Sequence, residues 1–207
     1  MTDIATRPRR GRPPKIPREH GDTREALLRC GMAVLTMQGI SATGIDAIVQ
    51  RAGVAKKSLY NNFASKADLV AQYLVMRHAD WLELYRARAD GAVLPRDRVL
   101  AVFDAYRDHA ENAYEQGFRG CGLLNAAAEL PTGDPGRQAV RRHKEEVEAL
   151  LASPLAELLP QDPARAARLA RQLAFLLEGA MTRAGLEGGS ACVLEARALA
   201  CDLLDSL

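Results

Sequence analysis

The chain has 207 residues, 48% hydrophobic and 26% charged, an ordinary globular composition with length enough to bury a full core. No run of eighteen apolar residues occurs, so no membrane span is expected, and the arginines near the N-terminus lack the apolar stretch of a secretory signal. The net charge of +2 conceals an asymmetry: through Lys66 there are 12 Lys and Arg against 5 Asp and Glu, and from Ala67 onward 16 against 21. A basic end joined to an acidic body suits a nucleic-acid-binding segment attached to one with another task. Cys30, Cys121, Cys192 and Cys201 are scattered without metal-type pairing, which predicts reduced, packed thiols in a cytoplasmic protein.

Residues 1–20 carry six cations, two acids and the prolines Pro8, Pro13, Pro14 and Pro17, too little apolar surface to fold alone. Arg10-Gly11-Arg12-Pro13-Pro14-Lys15 looks like an AT-hook. Glycine would let the backbone reach the minor-groove floor, proline would hold it extended, and Arg10 and Arg12 would meet the negative potential of an A·T groove. A solvated basic tail is the other reading.

Asp22-Thr23-Arg24-Glu25 has capping-box spacing, and Leu27, Cys30, Val34 and Met37 then predict a helix ending at Gly39. Ser41 and Thr43 precede a second helix, where a hydroxyl could cap it or reach a phosphate. Ile45, Ile48, Val49 and Ala52 share one face of that helix. Gly53 follows where a left-handed residue is expected, and Val54 plugs the turn. A third helix, to about Asn62, points Leu59 and Phe63 to the core. It leaves Lys56, Lys57, Ser58, Tyr60, Asn61 and Asn62 outside: cations, hydroxyls and amides with no acid, the chemistry that phosphates and base edges ask for. A hairpin that merely packs would have no reason to exclude acids there.

The run Ala52-Gly53-Val54, then Ser58-Leu59-Tyr60, then Phe63 with Ser65-Lys66, resembles the DNA-binding domain of TetR-type transcriptional regulators over residues 21–80, with the helix-turn-helix at 43–62. The chain departs from the pattern at Ala55, where serine or threonine is usual, at Asn62, where histidine is common, and at Asp68, where glutamate is common. The resemblance implies DNA contacts from Thr43, Lys56, Lys57, Ser58, Tyr60, Asn61, Asn62 and Lys66. It also implies a homodimer on a roughly palindromic double-stranded operator, most often a repressor released by a small-molecule effector. A ligand-independent or activating regulator is the alternative.

Ser65-Lys66-Ala67-Asp68 is a second capping box, opening a long helix with Leu69, Tyr73 and Met76 to about Arg88. By the resemblance, this helix links the first domain to residues 81–207, the ligand-binding and dimerisation domain. Pro95 suits the first turn of a helix carrying Val99, Val102, Phe103, Tyr106 and His109 to near Gly117. A short helix follows over 123–130, then a loop from Pro131 to Gly136. A charged amphipathic helix runs over 137–151, with a possible continuation through Pro154 to Leu159. A helix from Pro163 carries Leu169, Leu173, Leu176 and Ala180, and a last one carries Val193, Ala196, Ala200 and Leu203. No strand pattern or repeat is found, so the fold expected is all-α, with about nine helices. Those last two stripes could form a four-helix bundle across a two-fold axis or cap the monomer core.

Arg119-Gly120-Cys121, with Asn125-Ala126 and Glu129, is similar to a C-terminal signature of one TetR subgroup, and Pro131 and His143-Lys144 fit it. An effector is expected among Trp81, Phe103, Tyr106, Phe118 and Asn125; each aromatic could equally be plain core, and Asn125 could cap a loop or face water. Cys121, His143 and Asn125 are the residue types of a cysteine nucleophile with base and orienter, but no nucleophile signature surrounds them. No pair of histidines has metal-ligand helical spacing. The reading is therefore not an enzyme, with no cofactor and no metal, and with His20 and His78 facing solvent.

Overall fold

A computed structural model describes residues 20–112, 114–115 and 117–207, with side chains from Thr23 onward. Arg10 and Arg12 lie outside the described residues. Among those described, the chain forms nine α-helices and no strand. They are α1 (His20–Gln38), α2 (Ile45–Ala52), α3 (Lys56–Asn62), α4 (Lys66–Ala89), α5 (Pro95–Glu111), α6 (Gly122–Glu129), α7 (Pro135–Leu158), α8 (Pro163–Glu187) and α9 (Ala191–Asp205).

Local chemistry sets most of these limits. Gly53 adopts φ 64° and ends α2 with its amide on Gln50 O, a conformation cheap only for glycine. Ser65 Oγ accepts from Asp68 N at 3.1 Å, and Asp68 Oδ2 accepts from Ala64 N at 3.0 Å. The predicted box therefore starts α4, with the carboxylate reaching one residue further back. Pro95 and Pro163 occupy first-turn positions of α5 and α8, where a missing N–H costs nothing. Helix α7 passes through the buried Pro154 and ends at Leu158.

Two boundaries differ from expectation. Helix α1 begins at His20, so Asp22 lies inside it rather than capping it. Helix α5 ends at Glu111, well short of Gly117, because Asn112 already has extended dihedrals, with ψ 145°; Gly117 and Gly120 further on are both at positive φ. That segment then crosses α8 closely: a Cβ on Gly185 would lie 2.5 Å from Gly120 N.

Apolar packing gathers into two cores. The smaller joins Leu27 and Leu28 of α1, Ile48, Val49 and Ala52 of α2, Leu59 of α3, then Phe63 and Leu69, with Val54 half-buried against it. The larger is built mainly from α4 to α9 around residues such as Trp81, Phe103, Tyr106, Leu151 and Leu173. Helix α4 serves both, with Leu69 in the small core and Val70, Tyr73 and Trp81 in the large one. Leu35 of α1 also enters the large core.

The stripes expected at a dimer interface are mostly inside the protomer. Leu169, Leu173, Val193, Ala196 and Ala200 are buried in the large core, and Leu176, Ala180 and Leu203 are half-buried against it. The cause is simple: α8 packs on α7, and α9 packs on α5 and α8, so the strongest apolar face of each turns inward, the alternative that the sequence left open. A different face of the same helices is left open. Phe175 is 65% exposed and shares a shallow surface with Gly179, Ala180, Cys192 and Leu199.

Candidate functional site

The outer face of α3 is set by the small core. With Leu59 and Phe63 buried, Lys56, Lys57, Tyr60 and Asn61 are exposed, and Tyr60 stands 52% open. No side-chain hydrogen bond or ion pair joins Lys57, Tyr60 or Asn61 to any described residue. Lys56 Nζ lies 3.0 Å from Asp46 of α2, an exposed pair of little net strength. Such a lysine can exchange its carboxylate for a phosphate.

Other expected DNA contacts are engaged internally. Thr43 is fully buried, and its hydroxyl donates to Gly39 O at 2.6 Å. It neither caps α2, whose N-cap is Gly44, nor reaches outward. Ser58 and Asn62 are half-buried, and Asn62 Nδ2 donates to Ser58 O at 2.7 Å. Lys66 Nζ donates to Ile40 O at 2.6 Å. The unengaged polar face thus narrows to Lys57, Tyr60 and Asn61, with Lys56 and the hydroxyl of the half-buried Ser58 beside them.

A second feature lies where α1 meets the body. A cavity of about 330 Å³ opens between α1 and the stretch from Tyr114 to Asn125, with Arg77 in its wall. Phe118 and Asn125 line it, as expected. Trp81 and Tyr106 instead border a void of about 10 Å³, too small for more than one water. Phe103 is wholly buried in the core. Asn125 Nδ2 donates to Arg119 O at 2.9 Å, so the amide ties its own loop.

Arg77 is 8% exposed. Its Nη2 lies 3.3 Å from both His109 Nε2 and Tyr114 Oη. Burial, with the cations Arg77 and Lys144 nearby, pushes His109 down to about 3. The ring is therefore neutral, with Nε2 accepting from Arg77 and Nδ1 donating to Tyr114 Oη at 3.2 Å. The Tyr114 hydroxyl then donates to His109 O at 3.1 Å. His78 is not simply solvated: its Nδ1 lies 2.7 Å from His143 Nδ1 and its Nε2 3.2 Å from Glu146. No group of three metal-capable side chains occurs among the described residues.

The C-terminal signature residues hold the two parts together. Glu129 accepts from Ile40 N at 2.9 Å and Ser41 N at 2.7 Å. Burial raises its carboxyl, but the Ser41 and Ile40 amides outweigh that and hold it below its ordinary value. Arg119 Nη1 donates to Met37 O at the end of α1, and Arg51 of α2 pairs with Glu115. Sequence reasoning quoted Arg119 and Glu129 without finding this role, and it missed Arg77. Tyr73, Arg77 and Trp81 are spaced four apart, so a cation on the apolar face of α4 was there to be found.

Comparison with known proteins agrees with this architecture. Residues 27–73 match the model of bacterial regulatory proteins of the TetR family. The chain is 33% identical over 129 residues to the transcriptional regulator AcuR of Cereibacter sphaeroides, covering 61% of this chain and 57% of AcuR. It thus spans little more than half the length of the curated relatives it matches. Among solved structures, a TetR-family regulator from Streptomyces coelicolor superposes with a TM-score of 0.82 at 26% identity, covering 90% of this chain and 96% of that one. A structure from Streptomyces avermitilis, described as a TetR transcriptional regulator, is 30% identical with a TM-score of 0.71, covering 88% of this chain and 98% of the other. With likeness in sequence and fold reaching through both cores, the chain belongs to the TetR family.

Proposed function

We propose that this protein is a sequence-specific DNA-binding transcriptional regulator, acting as a cytoplasmic homodimer and as a repressor released by a small molecule. The observation that carries the reading is the exposed outer face of α3, which itself carries no acid and leaves the side chains of Lys57, Tyr60 and Asn61 unengaged. Lys56 and Lys57 suit phosphates, while the hydroxyl of Tyr60 and the amide of Asn61 suit base edges. Residues 21–80 form the DNA-binding part and 81–207 the effector and dimer part. In this reading Arg10 and Arg12 add minor-groove or phosphate contacts from the basic tail.

A two-fold dimer would use the open face of α8 and α9 around Phe175, Gly179 and Leu199. An effector between α1 and the body would act by its differential affinity for two orientations of α1. The test is a gel shift with the DNA upstream of the protein's own gene. A band competed by that DNA and not by unrelated DNA is expected; no specific band would overturn the reading.

A further inference from the structure

The cavity between α1 and the Tyr114–Asn125 stretch holds more positive charge than its own acids balance. Arg29, Arg77 and Arg119 line it against Glu115 alone; Glu115 already pairs with Arg51, and Arg29 has Glu25 beside it at the surface. Arg77 is the buried one, and a guanidinium stays charged in a protein. Its Nη2 is satisfied by neutral acceptors. Its nearest carboxylate among the described residues is Asp80, 3.7 Å from Nη1 and 45% exposed at the side chain, beyond hydrogen-bond reach. Nε and Nη1 make no hydrogen bond with the described residues. Gly122 faces the Nε side: a Cβ there would sit 3.6 Å from Arg77 Nε, so the missing side chain leaves that N–H open toward the cavity wall.

The rest of the wall is apolar. Met32, Ala33 and Met37 of α1 face Phe118 across the space. A buried cation with its Nε–H unfilled beside an apolar chamber calls for a monoanion with a tail. A second charge would meet only Arg29, which is exposed and beside Glu25, and Arg119, which already donates to Met37 O, so a single charge is favoured. The volume of about 330 Å³ holds about eleven water-sized groups, so the tail is short.

We propose that this cavity binds a small amphipathic monocarboxylate of about ten non-hydrogen atoms, its carboxylate on Arg77 and its tail among Met32, Ala33, Met37 and Phe118. Because α1 supplies part of the wall, occupancy is sensed by the DNA-binding part directly. This deepens the effector half of the regulator reading and rests on it for its biological meaning.

The experiment is calorimetric titration of the full chain with octanoate, 1-octanol and octylamine. Octanoate should bind, 1-octanol should bind at least about tenfold more weakly, and octylamine should not bind. Arg77→Met should weaken octanoate at least about tenfold while leaving 1-octanol within about threefold. Should Arg77→Met fail to fold, Ala33→Phe, which fills the chamber with Arg77 in place, should abolish octanoate binding. Equal binding of octanoate and octylamine, undiminished octanoate affinity in the folded variants, or no octanoate binding at millimolar concentration would each overturn the proposal. A ligand-free gel shift in parallel separates the two readings. A specific DNA complex with no octanoate binding overturns the cavity alone; octanoate binding lost in the variants, with no DNA complex, overturns the regulator and supports the cavity.

Discussion

The small core closes on eight buried residues between Leu27 and Leu69, while the large core draws on six helices from α4 to α9. Inside each, contacts are apolar and interlocked. Between them run helix α4, with Leu69 in one core and Val70 in the other, Leu35 of α1 with Met32 and Ile40 against the large core, and a set of polar contacts: Glu129 on the Ile40 and Ser41 amides, Arg119 on Met37 O and Arg51 on Glu115. Packed cores resist small displacements because every void loses contacts. Exposed hydrogen bonds and ion pairs can be exchanged for water at little net cost. The difference teaches where this molecule can move: at the seam, rather than within either unit. The cavity lies on that seam.

The comparison breaks most severely at Phe63. It supplies a large fully buried side chain to a core with few members, so Phe63→Ala should cost about 3–5 kcal/mol. Native-state hydrogen exchange should show protection lost from α1 to α3 and kept in α5 and α8. Uniform loss across all nine helices would show that the two cores are one cooperative unit.

Much of the small unit was legible in the sequence because its signals are local. Leu59 and Phe63 four apart, Gly53 at the turn and Ser65 with Asp68 each specify a neighbour within one or two turns. Thr43 was misread because its acceptor, Gly39 O, is one of several partners a loop hydroxyl can take. The stripes of α8 and α9 were visible, but periodicity shows that a face is covered and not by what; here α5 and α7 cover it. The seam was invisible for a similar reason. Glu129 and Arg119 find partners more than eighty residues away, and no spacing rule reaches that far.

The next largest effect concerns the open face of α8. Phe175→Glu places a charge on a surface that a second copy would desolvate. It should raise the dimer dissociation constant about a hundredfold, or about 2.8 kcal/mol, without lowering protomer stability. Sedimentation equilibrium reads it, and an unchanged association constant would place the dimer elsewhere.

Acid should strike the body before the small unit. Burial, first, and neighbouring cations push both His109 and His143 down to about 3 from an ordinary 6.5. The unfolded chain therefore takes up protons that the folded one refuses. The resulting stability is complete above pH 6.5 and is lost as pH falls from there toward 3, by up to about 1.4 kcal/mol per pH unit for each ring. Denaturant titrations at several pH values check this. His143→Phe should flatten the slope, and a slope unchanged in that variant would contradict it.

The smallest change is at the seam. Glu129→Gln keeps the shape but removes the charge facing the Ile40 and Ser41 amides, at a cost of about 1 kcal/mol since the site is exposed. Its pH dependence has the carboxylate sign. The folded value lies below the ordinary 4.5, so the contribution is present above 4.5 and disappears as pH falls through the lower, folded value. The variant should leave both cores protected and raise exchange only at Ile40 and Ser41; a fall in Phe63-region protection would mean that the seam also supports the small core.

Helix α3 as the DNA-reading element is tested on the operator that the protein itself selects from random duplexes. Wild-type protein should enrich a two-fold-symmetric site whose half-sites lie about 34–36 Å apart. On that site a folded Tyr60→Ala variant should lose about 1–3 kcal/mol of affinity and relax its preference at one base position in each half. Wild-type affinity and sequence preference in the folded Tyr60→Ala variant would contradict the account.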